Sequence, residues 1–173
     1  MRTRIFWRGL AGVRRHQRHQ KRYDVIGRGE KCAASTTVRG HTILTDTPRS
    51  GGGNDTAAQP VETLLAALIG CESATAHFVA RQFRVKIDSI DFALDAVRDV
   101  RGSAHIPVEE PAPAPNRLQE ITGVARVTTD DPNVDEELLV RLGNVVHERC
   151  PIANMVSASG CALHVEWRLA NSE

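Results

Sequence analysis

The chain has few rings: one Tyr, two Trp and four Phe make up 4% of 173 residues. That scarcity argues against a surface that binds single strands by stacking bases on aromatic side chains. No uninterrupted apolar run approaches the roughly 18 residues needed to span a bilayer, and no N-terminal apolar segment of a secretory signal is visible, so a soluble protein without membrane or nucleic-acid partners is expected. The chemistry of several large classes is missing too. There is no HExxH pair for a zinc hydrolase and no GxSxG elbow for a serine hydrolase. The glycine stretch Ser50-Gly51-Gly52-Gly53-Asn54-Asp55 has no following Lys-Ser or Lys-Thr and no GxGxxG register. It therefore reads as a connector rather than a phosphate cradle.

What is present begins with charge. The net charge of +1 conceals an uneven distribution, because residues 1–23 hold eight arginines and lysines and no acid, which leaves −7 for the remainder. Residues 1–22 are read as a basic arm: a transit peptide, a nucleic-acid contact or a solvated tail. The arm contains no serine, which weakens the transit reading; a cytoplasmic protein is expected, with a mitochondrial one as the alternative. Residues 23–173, at 41% hydrophobic and 25% charged for the whole chain, are enough for a single domain with one core.

Four cysteines, Cys32, Cys71, Cys150 and Cys161, without a secretory signal do not suggest a stapled extracellular scaffold. Two of them stand in marked contexts. Cys71 closes the apolar run Pro60-Val61-Glu62-Thr63-Leu64-Leu65-Ala66-Ala67-Leu68-Ile69-Gly70-Cys71, and Cys150 precedes a proline in Val145-Val146-His147-Glu148-Arg149-Cys150-Pro151. A thiol in an apolar helix and a second at a proline-opened turn are a layout for reversible disulfide chemistry.

Periodicity places these motifs. The Val, Ile and Thr content between Tyr23 and Asp46, punctuated by glycines, predicts two or three short antiparallel strands. Pro60 to about Phe83 predicts a long helix entered through proline, with Leu64, Leu68, Cys71, Thr75 and Phe78 on one face and apolar residues nearly all round. Ile90, Phe92, Leu94 and Ala96 alternate as a strand that pairs with a second at 120–129 across a proline-rich loop, 103–117. A helix then opens with Asn133 as its cap and Glu136 at the third position. It ends at Cys150, because Pro151 disfavours helical backbone at the preceding residue. A short helical turn through Ile152 to Ser159 and a closing strand through Leu163, Val165, Trp167 and Leu169 follow.

As the cap of that short helix, Cys150 would face free backbone N–H groups and the positive end of the helix dipole, and Arg149 adjoins it, so a lowered thiol pKa is expected there. Cys71, inside a helix, has no such local help. A zinc site from His147, Cys150, Cys161 and His164 competes for the same residues, but strand alternation sends Cys161 and His164 to opposite faces, and no metal is expected.

The order of short strands, proline-entered Leu/Ala helix ending in Gly-Cys, strand hairpin, and helix ending in Cys-Pro, together with the Asp46-Thr47-Pro48 turn, resembles the OsmC and organic-hydroperoxide-resistance family. The resemblance runs from about residue 23 to 170 and implies an α+β, OsmC-like fold: antiparallel sheets wrapped around a long central helix in an intertwined homodimer. It further implies a thiol peroxidase of organic hydroperoxides and hydrogen peroxide, serving oxidative-stress defence without a cofactor. Cys71 would attack the peroxide and become a sulfenic acid, Cys150 would resolve it as a disulfide, and an external dithiol would reduce the enzyme. An arginine that pairs with the thiolate and a glutamate that orients it carry over as Arg39, with Arg49 the second choice, and Glu62. In the hydroperoxide-resistance branch the glutamate directly follows the proline, where this chain has Val61; Glu62 is the next residue, about 180° around the helix from Cys71. The alternative is a dimer of the same fold whose thiols sense or bind without efficient turnover.

Overall fold

The computed structural model describes residues 19–170. Three strands come first, β1 (Ile26–Glu30), β2 (Ala33–Val38) and β3 (His41–Thr45), paired antiparallel in the order β1-β2-β3. Then follow a single 3-10 turn at Arg49–Gly51, the helix α1 (Pro60–Phe83), the strand β4 (Ser89–Arg98), a one-turn helix α2 (Arg101–Ala104) and β5 (Leu118–Thr128). The chain closes with α3 (Glu136–Arg149), α4 (Pro151–Ala158) and β6 (Ala162–Leu169). The second sheet has the order β4-β5-β6, with β4 and β5 antiparallel and β5 and β6 parallel. A parallel neighbour needs a crossover, and the helix pair α3–α4 supplies it.

The architecture is the α+β arrangement of sheets and a long helix that the sequence predicts. The caps differ in detail. Asp135, not Asn133, caps α3, its carboxylate accepting from the Leu138 N–H at 2.8 Å; Asn133 instead donates to Asp131. Both residues have the short polar side chain a cap requires, and the one adjoining the first helical residue takes the role.

The α1 helix packs against α3 and α4, and α3 against β6. Its buried residues are Leu68, Glu72, Ala76, Val79 and Ala80. This corrects the predicted stripe: Leu64 and Phe78 are 40% and 45% exposed, because the core lies toward the i, i+4, i+8 row that begins at Leu68. The helix, at 24 residues, is long and apolar enough by length and composition to cross a membrane, a test that the core helix of a soluble protein also passes; Glu62, Glu72 and Arg81 interrupt it, so it is not an unbroken apolar run. It contributes Ala76, Val79 and Ala80 to the main core.

That core joins α1 to Leu139, Leu142 and Val146 of α3, Ala125 and Val127 of β5, and Trp167 of β6. Trp167 meets Phe92 edge to face at 5.7 Å, the favoured geometry for an aromatic pair. Gly143 makes room for it, since a Cβ there would lie 2.4 Å from the Trp167 ring.

The first sheet is a contrast. Its packing is between its own strands, and Ile26 and Leu44 are 80% and 56% exposed. It joins the body through the loop around Asp46, a buried carboxylate that accepts N–H groups from Thr47 (2.8 Å), Asn54 (3.2 Å) and Thr56 (3.1 Å) and the Thr56 hydroxyl (2.8 Å). The glycine stretch is therefore the wall of a carboxylate nest. Gly53 passes so close that a Cβ would collide with the Thr47 carbonyl, and Gly52 sits at φ +88°. These donors, the Thr47 N–H first, hold the Asp46 pKa down at about 2. A depressed acid contributes stability above its unfolded pKa of about 4 and loses it as pH falls toward 2. Asp46→Asn is expected to lower the melting temperature at pH 7, with the gap from the native protein closing between pH 4 and pH 2; a constant gap across that window would contradict the account.

Candidate active site

Pro151 breaks the helix where expected. Cys150 lies between α3 and α4 with extended backbone (φ −75°, ψ 117°), and its sulfur accepts the Ala153 N–H at 3.4 Å as the α4 cap. The bend turns the thiol inward to a second apolar cluster, with Leu68 of α1, Ile121 of β5, Ala153 and Val156 of α4, and Cys161. Cys71 packs against this cluster from α1, within hydrogen-bonding reach of the Cys150 thiol. The fold thus brings together two thiols 79 positions apart in the chain, both reduced.

Their environments differ. Cys71 is half-buried and Cys150 has no exposed surface. Burial pushes the Cys150 pKa up to about 11, and the hydrogen bond with Cys71 adds to it. The cap contact with Ala153 acts the other way but is outweighed. This overturns the expectation of an acidified Cys150: the capping geometry is present, yet a few partial charges do not offset complete removal from water. Arg149 next to it is exposed.

Neither of the expected activating residues stands beside Cys71 within the chain. Arg39 is at the exposed tip of the β2–β3 hairpin, at φ 50° next to Gly40, and Arg49 is exposed in the 3-10 turn. Glu62 is exposed and serves as the helix cap, accepting the Gln59 N–H at 2.7 Å while Gln59 caps in return. That reciprocal box explains the carboxylate at this position.

The zinc alternative is divided by the fold. His147 and His164 line a cavity between α3 and β6, whereas Cys161 lines a different, largely apolar cavity with Val61, Leu64, Arg98, Arg117 and Met155. No group of three ligand-type residues that could hold a metal occurs among the described residues.

The residue that sequence reasoning missed is Glu72. It follows Cys71 directly, is 1% exposed, and its Oε2 is buried with no hydrogen-bond partner. Burial pushes its pKa up to about 7. A glutamate in a helix ordinarily marks the solvent face; here only its register with Leu68 and Ala76, four residues either side, hints at burial.

An OsmC-like protein family model matches residues 52–166. Solved structures are similar in fold. An OsmC-like protein from Mycoplasma pneumoniae is 22% identical over 87% of this chain and 99% of its own, with a TM-score of 0.69. The organic hydroperoxide resistance protein OhrB of Bacillus subtilis is 19% identical over 86% and 98%, with a TM-score of 0.56, and one described as an organic hydroperoxide resistance protein OsmC from Legionella pneumophila is 14% identical over 86% and 98%, with a TM-score of 0.63. No curated protein matches the chain.

Glu72 also yields a test of burial. An acid whose folded pKa is raised favours folding below its unfolded pKa and loses that contribution as pH climbs through the folded value. Between about pH 4.5 and pH 7 the native protein should lose up to about 3 kcal/mol. Glu72→Gln should therefore melt higher than the native protein at pH 8 and not at pH 5; a parallel pH dependence for the two proteins would refute a carboxyl buried in this way.

Proposed function

Because the chain belongs to the OsmC-like protein family, we propose that it is a cysteine-dependent hydroperoxide reductase that works as a homodimer. The observation that carries this reading is the contact between a half-buried thiol and a fully buried one of raised pKa. The accessible Cys71 suits first attack, and Cys150, protonated at neutral pH, suits resolution.

The chemistry balances without a cofactor. The Cys71 thiolate attacks the terminal oxygen of an organic hydroperoxide; the O–O bond breaks, an S–O bond forms, and the alkoxide leaves as alcohol once protonated. Cys150 sulfur then attacks the sulfenic sulfur, forming S–S and breaking S–O, and its proton departs with the hydroxide as water. The starting contact keeps the rearrangement small, since disulfide geometry is narrow. An external dithiol returns both thiols.

The uncovered surfaces support the dimer. Ala66, Gly70, Ala74 and Phe78 form an exposed row along α1, and the strands of the first sheet make their main contacts with one another, leaving Ile26 and Leu44 largely exposed. A second copy that covers both would answer each exposure, and would allow the Arg39 hairpin to reach the other copy's Cys71, where a guanidinium stabilises thiolate and departing alkoxide. Glu62, occupied as a cap, contributes to the site by fixing the start of α1.

Steady-state consumption of tert-butyl hydroperoxide with dithiothreitol tests the reading. Cys71→Ser should lose about a hundredfold or more of the rate; Cys150→Ser should stop at a sulfenic acid on Cys71 that a 1,3-diketone traps. Full activity in Cys71→Ser would overturn the assignment. An inactive native protein would favour the sensing or binding dimer.

A further inference from the structure

A large cavity among the described residues lies away from the thiols. It has a volume of about 710 Å³ and lies between α3 and the β5–β6 edge of the second sheet. Its walls are partly apolar, with Val140 of α3 and Val165 and Trp167 of β6. Glu72, reaching in from α1, lines it as well. Consecutive helix residues are turned about 100° from one another, so Cys71 packs on the Cys150 cluster while its neighbour borders this separate space.

Charge distinguishes the cavity. Glu72, Glu148 and Glu166 line it, and no lysine or arginine does. Glu166 is ion-paired with Arg168, and the exposed Glu148 has no ion-pair partner among the described residues. At the inner end Glu72 is buried, with Oε2 lacking any donor. A buried polar atom left without a partner costs about 1–3 kcal/mol, and a ligand that brings a donor recovers it. Among the described residues no three-ligand group suits a metal ion, and the apolar walls call for a body as well as a charge.

We propose that this cavity binds a primary organic amine, its ammonium donating to the Glu72 carboxylate and its apolar body lying along Val140, Val165 and Trp167. The reading is independent of the peroxidase assignment, since it uses neither thiol. The other titratable groups facing the cavity are His147 and Glu148 from α3 and His164 and Glu166 from β6; the β5 residues that line it, Thr122 and Gly123, do not titrate. Near neutral pH the carboxyl of Glu72 is partly protonated. Capture of an ammonium ion must then expel that proton, which separates engagement of Glu72 from general attraction to an acidic surface.

Calorimetric titration of the full chain with n-hexylamine, n-hexanol and hexanoate, in two buffers of different ionisation enthalpy at pH 7, tests the proposal. Hexylammonium should bind saturably with release of a fraction of a proton, hexanol about tenfold more weakly, and hexanoate not at all. Glu72→Gln should weaken hexylammonium binding about tenfold and abolish the proton release. If that variant does not fold, Val140→Trp, at a position 55% exposed, should fill the cavity and abolish binding. Equal affinity in the native protein and either folded variant, equal affinity for hexanol and hexylammonium, or no saturable binding would each overturn it.

Discussion

The proline at position 151 is the constraint on which the rest of the molecule turns. By denying helical backbone to Cys150 it splits what would be one rod into α3 and α4. The bend aims a thiol into the protein and lets the pair of helices cross over the sheet, so that β6 returns parallel to β5. It also sets the two halves of α1 against different neighbours. One half meets the α3 core with Ala76, Val79 and Ala80, the other the α4 cluster with Leu68. Cys71 and Glu72 fall at the junction.

At that junction two opposing electrostatic effects are decided by burial. A cap N–H favours a thiolate at Cys150 and complete loss of water disfavours it; the second prevails. At Glu72 there is no donor at all for one oxygen, and the acid holds its proton to near neutrality. Asp46 is the counter-case, equally buried but supplied with four donors, and it stays ionised far into acid. Burial with donors thus holds one carboxyl down at about 2, while burial without enough of them pushes another carboxyl up to about 7 and a thiol up to about 11.

Much of this was legible in the residues. The proline-entered α1, the strand alternation of β4 and β6, and the helix break at Cys150 all rest on local chemistry, and local chemistry decided them. The bringing together of Cys71 and Cys150 followed from the family resemblance rather than from spacing. What escaped were quantities set by neighbours distant in sequence. Which row of an all-round apolar helix faces inward depends on where α3 lies, so Leu64 and Phe78 were placed inside and Glu72 was passed over. Likewise the pKa of Cys150 depends on Leu68, Ile121 and Val156, which no cap rule counts. The glycines at 51–53 looked like slack because their partner, Asp46, precedes them by a turn.

The first sheet has a thermodynamic consequence. Three short strands with apolar side chains open to water do not hold together well on their own, and this sheet is tied to the body chiefly through one carboxylate nest. Its free energy of ordering is then not a property of a single chain but of whatever covers it. Where a second molecule provides that cover, stability becomes a function of concentration, and dilution acts on the protein as a denaturant does.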